Sequence, residues 1–447
     1  MEIFVYGLGY VGTVNALFFA SKGLKVQGIE IVPEKVSQLK KGRLHLFEPH
    51  LKEALAEVTE NGLLTFSTEA ESQNIENAVF LVCAGTPRGV DGEVELGQIF
   101  SVVEDIKKVL SEGLVKKSLI VIRSTIPPGS TDKIIAQFKD IEGDVSFLYY
   151  PEFLREGNAW GDFQNPSEVI LATNNSVFSL EKDFSNFFNA IPKMSEAKWV
   201  SIEVAEMLKY CLNSFNALRV SYINEIASLS GKLGVNSKEL SDTLGDFLAN
   251  ERGGAYLKPG FTFGGPCLVK ELNALEWLGR KARCEIPLIQ SVLESNERHL
   301  VRVLKRVEEF QAKSILFSGV SFKEDTDDVR ESQLLKIIDL LKNKPSYLNK
   351  VSLGVHDRIE VLAKVENLTL QSGVKVLKEI NVEQEWDLII LGPFPMSEET
   401  IQKYLNKGSN VLDLGFFSLT NTIAGHEGYH SLFKSSGSES KQGEYCE

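Results

Sequence analysis

Short apolar runs that end on glycine or polar residues recur along the chain. Between them lie longer stretches in which apolar positions return every three or four residues. The first run, IFVY, opens at residue 3, meets GLGYVG, and continues into TVNALFFASKG, an apolar helix. KVQGIE, AVFLVCAGTP, SLIVIRSTIPPG and VSFLYYPEFLREG repeat the form of an apolar strand closed by a polar or glycine-rich loop. Such runs predict parallel strands buried on both faces, with the helical stretches between them covering an open sheet. At 201–234, SIEVAEMLKYCLNSFNALRVSYINEIASLSGKLG, helical spacing holds without a break. At about 1.5 Å per residue that helix spans roughly 50 Å, too long for one small core. It is expected to join two domains and to reach a second subunit. KSILFSGVSFKED then restarts the strand-loop-helix form, with LLKIIDLL as helix and KVSLGVHD, WDLIILGPFP and SNVLDLG as further strands.

Composition changes this picture little. The 447 residues are 43% hydrophobic and 24% charged, as in an ordinary folded protein. A net charge of −13 without a long basic tract argues against nucleic acid or an anionic membrane as partner. No charge occurs from Ile3 to Ala20, but Glu2 stands where a signal peptide needs a basic region, so a cytoplasmic chain is expected. Five cysteines, an odd number with no C-x-x-C pair, make a disulfide framework improbable, and the six histidines show no metal-ligand spacing around Cys267.

The chemistry starts at GLGYVG. Gly7 permits a tight turn, Gly9 lets the backbone approach a pyrophosphate, and Gly12 lets helix pack on strand. Glu30 closes the second strand eighteen residues past Gly12, where a carboxylate suits the free ribose 2′-OH of NAD and repels the 2′-phosphate of NADP. Lys35 either reaches the adenosine side or is a solvated helix lysine. Two open α/β sheets and this fingerprint give the expected architecture. It is α/β, with two doubly wound Rossmann-like domains joined by a long central helix and a helical region. The divisions fall at 1–200, 201–300 and 301–433, and 434–447 is expected to be a mobile polar tail carrying Cys446. Ligands of such sheets sit at the strands' carboxyl ends, so Thr86, Thr125, Glu152 and Glu156 are expected near the nicotinamide.

On the long helix Glu206, Lys209, Asn213 and Asn216 share one face, flanked by Val204, Leu208, Leu212 and Phe215. A wet surface is one reading. A lysine and an asparagine one turn apart that hold an oxyanion or a sugar hydroxyl is the other, with Glu206 left structural. In FTFGGPCLVKE, Cys267 follows two glycines and opens a helix, where the dipole and free N–H groups activate a thiol. Lys270 adds positive charge. A thiolate beside an NAD site can add to an aldehyde, and oxidation of the adduct gives a thioester that water releases as an acid. That sequence needs a base, an oxyanion stabiliser and a water. Glu152 or Glu156, Lys209 with Asn213, and Glu271 are available for these roles.

The order GLGYVG, AGTP, STIPPGS, PEFLREG, VAEMLKYCLNSFNA, FGGPCLVKE and FKEDTDDVRES resembles the nucleotide-sugar 6-dehydrogenases, the UDP-glucose and GDP-mannose dehydrogenase family, over residues 1–420. The resemblance implies an NAD domain, a central helical region that forms a homodimer, and a C-terminal domain that grips the nucleotide sugar. It implies Cys267 as nucleophile, Lys209 and Asn213 on the sugar and oxyanion, and Glu152 in water and proton transfer. Glu156 lies between cofactor and sugar, and Lys270 and Arg330 reach NAD. Tyr10 and Val11 belong to the cofactor loop and Thr125 to the reacting centre. Phe153, Leu154, Tyr256, Lys258, Gly260, Phe261, Gly264 and Lys323 lie along the substrate. The family's usual run after Gly-Gly is Ser-Cys-Phe/Leu-Pro-Lys-Asp, whereas this chain has Pro266, Val269 and Glu271, the last longer than Asp by one methylene. The cofactor acid is Glu30 where Asp is commoner. NALRVSYINEI leans to UDP-glucose and VAEMLKY to GDP-mannose. UDP-glucose is the expected substrate, with GDP-mannose the alternative. A two-electron dehydrogenase with an inert Cys267, and a non-catalytic nucleotide-sugar or NAD sensor, are the rival readings.

Overall fold

Strand β1 (Glu2–Tyr6) is buried along its whole length. Its alternating side chains go to two cores. Ile3 and Val5 pack with Leu17 and Phe18 of the helix Tyr10–Ser21, while Phe4 and Tyr6 pack with Ile99, Val103 and Ile106 of the helix Gly97–Ser111. This two-sided burial is what a doubly wound sheet requires, and it explains why the strands read as unbroken apolar runs. The computed structural model describes residues 1–71, 74–249, 256–345, 347, 350–367, 373–394, 396–415 and 419–433. The tail expected at 434–447 lies outside them.

The chain divides into two units, Met1–Leu212 with Asn273–Cys284, and Asn213–Leu272 with Glu285–Glu447. In the first, β1 joins β2 (Val26–Ile29), β3 (Leu64–Ser67), β4 (Ile75–Val82), β5 (Val115–Ile122), β6 (Asp144–Tyr149), β7 (Ile170–Ala172) and β8 (Lys198–Val200). Their order is β3-β2-β1-β4-β5-β6-β7-β8, parallel except where β7 runs against β6. The apolar-run reading does not include β3, β7 or β8, which are three or four residues long.

In the second unit β9 (Ser314–Ser318), β10 (Ser352–His356), β11 (Val374–Leu377), β12 (Leu388–Leu391), β13 (Asn410–Asp413) and β14 (Tyr429–Ser431) form an all-parallel sheet ordered β11-β10-β9-β12-β13-β14. With each sheet's strands counted from its own first, this repeats the first six positions of the other sheet. The turns after β1 and β9 also match. Gly7 has φ 86° and Gly319 φ 87°, both in the left-handed region. An acid follows the second strand of each sheet. Asp357, 2% exposed, accepts from the backbone N–H of Val320 at 2.6 Å, Ser321 at 3.3 Å and Arg358 at 2.7 Å.

The long helix runs Ile202–Lys232. Its polar residues do not form a wet face. Glu206 is 0% and Lys209 5% exposed, while Val204 is 53%, Leu212 40% and Phe215 54% exposed. Glu206 and Lys209 turn inward because each finds a partner, Leu208 is half-buried against the core, and Val204, Leu212 and Phe215 are left outward.

Candidate active site

In the first unit the glycine turn places backbone at the carboxyl edge of β1. A Cβ on Gly9 would meet nothing within 4 Å, whereas one on Gly12 would lie 1.9 Å from the Gly7 carbonyl oxygen. The loop is therefore open on the ligand side and tight on the packing side, as a pyrophosphate cradle needs to be. Glu30 accepts from the N–H of Leu8 and of Val32, each at 3.2 Å, and Lys35 stands 3.7 Å from it. A carboxylate fixed against the glycine loop fits a ribose diol, so these residues fit NAD. The Lys35 side chain, 38% exposed, faces Glu30. Val11 is half-buried beside the turn. The Tyr10 hydroxyl is bound by Glu48, a buried carboxylate that also accepts from Gly157 N–H at 2.7 Å and Ala159 N–H at 2.6 Å. Glu48, which the sequence did not single out, thus ties the cofactor loop to the segment carrying Glu152 and Glu156.

Thr86, Thr125 and Glu152 follow β4, β5 and β6, adjacent strands, so they share the carboxyl edge with the glycine turn. Phe153, Leu154 and Glu156 come next and are half-buried. Glu152 and Lys209 form a buried ion pair at 2.9 Å, and the other carboxylate oxygen accepts from Leu154 N–H at 2.9 Å. Burial would raise the Glu152 carboxyl, but the Lys209 ammonium, the Leu154 N–H and Arg123 outweigh it and hold it below the ordinary value. Glu206 accepts from Gly129 N–H at 2.7 Å and from the N–H and hydroxyl of Thr131 at 2.8 and 2.6 Å. It thereby caps the helix Ser130–Ala136, whose N-cap Gly129 has no side chain to do so.

The second unit holds the thiol. Cys267 is exposed and is the second residue of the helix Pro266–Ala282, with Pro266 at the first helical position, which suits it. Glu271, 1% exposed, accepts from the Asn213 amide at 2.5 Å, so these two proposed catalytic groups are joined. Lys270 is half-buried on the same helix. The loop before Cys267 is held by three polar side chains that sequence reasoning missed. Asn224 accepts from Gly260 N–H at 2.9 Å and donates to the Phe261 carbonyl at 3.2 Å. Asn296 pairs with Phe263 through N–H and carbonyl, at 3.1 and 3.0 Å. His299 Nε2 donates to the Gly260 carbonyl at 2.9 Å. Asparagines and histidines at helical spacing look like surface in a sequence, which is why they carried no signal. A Cβ on Gly264 would lie 2.6 Å from the Glu331 carbonyl, so backbone passes close there. Tyr256 lies under the Arg219 guanidinium at 4.9 Å, and Lys258 is exposed. Lys323 is half-buried, and Arg330 closes on Asp328 beside it in sequence. The acidic run from Glu324 to Asp328 is only partly solvated. Glu324 and Asp325 are exposed, but Asp327 is 7% exposed and pairs with Lys364 at 2.6 Å.

Burial depresses His299 to about 4, against 6.5 ordinarily. The folded state then binds fewer protons than the unfolded one between these values. Stability from this group is full above pH 6.5 and is lost as pH falls towards 4, by roughly 3 kcal/mol at most. His299→Gln is expected to flatten that part of the urea-stability profile. Parallel pH slopes in the two proteins would refute the assignment.

Residues 1–186 match the NAD binding domain of the UDP-glucose/GDP-mannose dehydrogenase family, and 203–298 match that family's central domain. A GDP-mannose 6-dehydrogenase of Pseudomonas putida is 30% identical, over 96% of this chain and 99% of the relative. A UDP-glucose 6-dehydrogenase of Rickettsia prowazekii is 32% identical, over 86% of this chain and 88% of the relative. The solved structure of a UDP-glucose dehydrogenase from Pyrobaculum islandicum matches with a TM-score of 0.81 at 26% identity, covering 97% of both chains. No helix among the described residues is long and apolar enough to cross a membrane. With relatives aligned almost end to end and a glycine cradle that fits NAD, the chain belongs to the UDP-glucose/GDP-mannose dehydrogenase family, the NAD-dependent nucleotide-sugar 6-dehydrogenases.

Proposed function

We propose that this enzyme oxidises the C6 hydroxyl of UDP-glucose to the carboxylate through a covalent adduct on Cys267. The observation that carries the reading is an exposed thiol at a helix start, behind a loop fixed by buried polar side chains, in a chain of this family. NAD, when bound, accepts one hydride at each of the two oxidations. The alcohol loses a hydride and a proton to give the aldehyde. The Cys267 sulfur adds to the carbonyl carbon, and loss of a second hydride and the hydroxyl proton leaves a thioester. Water displaces the sulfur, giving the acid and restoring the thiol. Lys209 and Asn213 hold the sugar and the developing oxyanion. Thr125 lies at the reacting centre. Glu152 orients Lys209 and water, and Glu271 fixes the Asn213 amide and faces the hydrolytic water. Glu156 and Lys270 serve cofactor and sugar, and Arg330 turns to the cofactor. Phe153, Leu154, the loop 256–260, Phe261, Gly264 and Lys323 line the nucleotide sugar.

In this reading 1–200 is the cofactor domain, 201–300 the dimerisation region and 301–433 the nucleotide-sugar domain, and the enzyme works in the cytoplasm, where its co-substrates are. The outward apolar residues of the helix Ile202–Lys232, Val204, Met207, Phe215, Tyr222 and Leu229 among them, are covered by a second copy of the chain. Sedimentation equilibrium should give twice 49.7 kDa, and a monomer would remove this part of the reading. GDP-mannose is the second reading, favoured by the near full-length match to the Pseudomonas putida relative. The test is NADH released per limiting sugar nucleotide with NAD in excess. Two per UDP-glucose supports the proposal, and two per GDP-mannose moves the substrate. One per sugar rejects the covalent second step. None from either leaves a different sugar nucleotide as substrate or a sensor that binds without turnover.

A further inference from the structure

Beneath the carboxyl edge of the first unit lies a charge that the proposed reaction does not use. Arg123, directly after β5, is 2% exposed. Its Nε donates to Asn15 Oδ1 at 3.2 Å, and its Nη1 donates to the carbonyls of Tyr150 at 2.8 Å and Pro151 at 3.1 Å. The guanidinium lies flat 3.8 Å from the Tyr150 ring centre. Asn15 is itself buried on the cofactor helix and donates to the Val11 carbonyl at 2.7 Å. Arg123 therefore grips the two carbonyls that lead into Glu152 and braces them against the helix that starts at the glycine turn.

A buried guanidinium keeps its charge, and a buried charge without compensation is costly. Among the described residues no carboxylate forms an ion pair with Arg123. Its counter-charge is Glu152, joined to the Pro151 carbonyl that Arg123 holds and already paired with Lys209 at 2.9 Å. Two buried cations thus act on one buried carboxylate. Protonating Glu152 would leave both unbalanced.

We propose that Arg123 is a positioning residue that keeps Glu152 permanently ionised opposite Lys209, so that Glu152 acts as a fixed acceptor and any proton leaving the substrate goes elsewhere. The groups facing Glu152 are Lys209 from the long helix, Arg123 after β5, the Cys83 thiol after β4 and the Leu154 N–H of its own segment. Cys83 contributes no charge, since burial pushes its thiol up to about 12. The inference rests on the reading that Glu152 serves the sugar chemistry, and its test separates the two.

The experiment compares Arg123→Lys with Arg123→Gln in the full chain. Both lose the planar fork, but only lysine keeps the charge. Glu152 is titrated by ¹³C NMR of protein labelled at the glutamate carboxyls, with Glu152→Gln identifying its signal. The acid limb of kcat/KM is followed alongside. Arg123→Gln should raise the Glu152 midpoint by about one pH unit or more, a tenfold change in ionisation, and move the acid limb with it. Arg123→Lys should lower kcat but leave the midpoint near the wild-type value. Equal midpoints in all three proteins, or equal shifts in both variants, would overturn the assignment. If Arg123→Gln does not fold while Arg123→Lys does and keeps the midpoint, charge is again the decisive property. Failure of both variants to fold would count as a purely structural role and overturn it. A shifted midpoint in an enzyme that releases no NADH from either sugar nucleotide would sustain Arg123's role while rejecting the proposed substrate.

Discussion

Cys267→Ala is expected to lose four-electron turnover by a factor on the order of 10⁴ or more, because the proposed covalent adduct forms on its sulfur. The first oxidation needs no sulfur. With enzyme in stoichiometric excess over sugar nucleotide, the variant should still release one NADH per sugar and stop at the aldehyde. Since Cys267 is exposed, its truncation should leave the unfolding transition unchanged, which separates chemistry from folding. Rapid-mixing absorbance at the NADH band reads both quantities. Two NADH per sugar at an unchanged rate would end the covalent reading. Glu271 lies four residues further along the same helix, and its bond to Asn213 sets a milder companion expectation. Glu271→Asp would lengthen that 2.5 Å contact and slow thioester release more than the first hydride step.

The second large effect lies in the Glu152–Lys209 pair. Side chains 10% and 6% exposed hold these charges at 2.9 Å, and removing either leaves the other buried and unbalanced. Glu152→Gln should lower stability by about 3–5 kcal/mol in urea, since it strands Lys209 and Arg123 together. Lys209→Met combined with Glu152→Gln should cost less than Glu152→Gln plus Lys209→Met measured singly. Additivity within about 0.5 kcal/mol would show that the pair is not coupled. The pH dependence has a fixed sign. The Glu152 carboxyl is held below 4.5 in the fold, so its contribution is complete above that value and is lost as pH falls through the lower folded one.

The cofactor half was legible because its signals are local. GLGYVG, the strand before it and Glu30 sit within thirty residues, and the structure places them on one edge as the order implied. Cys267 was legible as a helix opening after a Gly-Gly turn. The polar face of the long helix was legible as a stripe but not as an inward one. Its burial depends on partners dozens of residues away, Thr131 for Glu206 and Glu152 for Lys209. Glu48, Asn224, Asn296 and His299 gave no signal for the same reason. Each bonds to backbone atoms, and backbone atoms leave no trace in residue identity. The short strands β3, β7, β8, β11 and β14 were not read, although β2, β12 and β13, four residues each, were.

The matching strand orders of the two sheets mean that one polypeptide carries the same sheet edge twice. Gly319 repeats the backbone twist of Gly7, and Asp357 repeats the position of Glu30. The copies differ in what their acid is free to do. Glu30 holds its loop through two long contacts of 3.2 Å on a longer side chain, whereas Asp357 is clasped by three backbone N–H groups and sealed from solvent. The second copy of the strand order thus keeps its acid as part of the frame, tied to the backbone of the turn it supports.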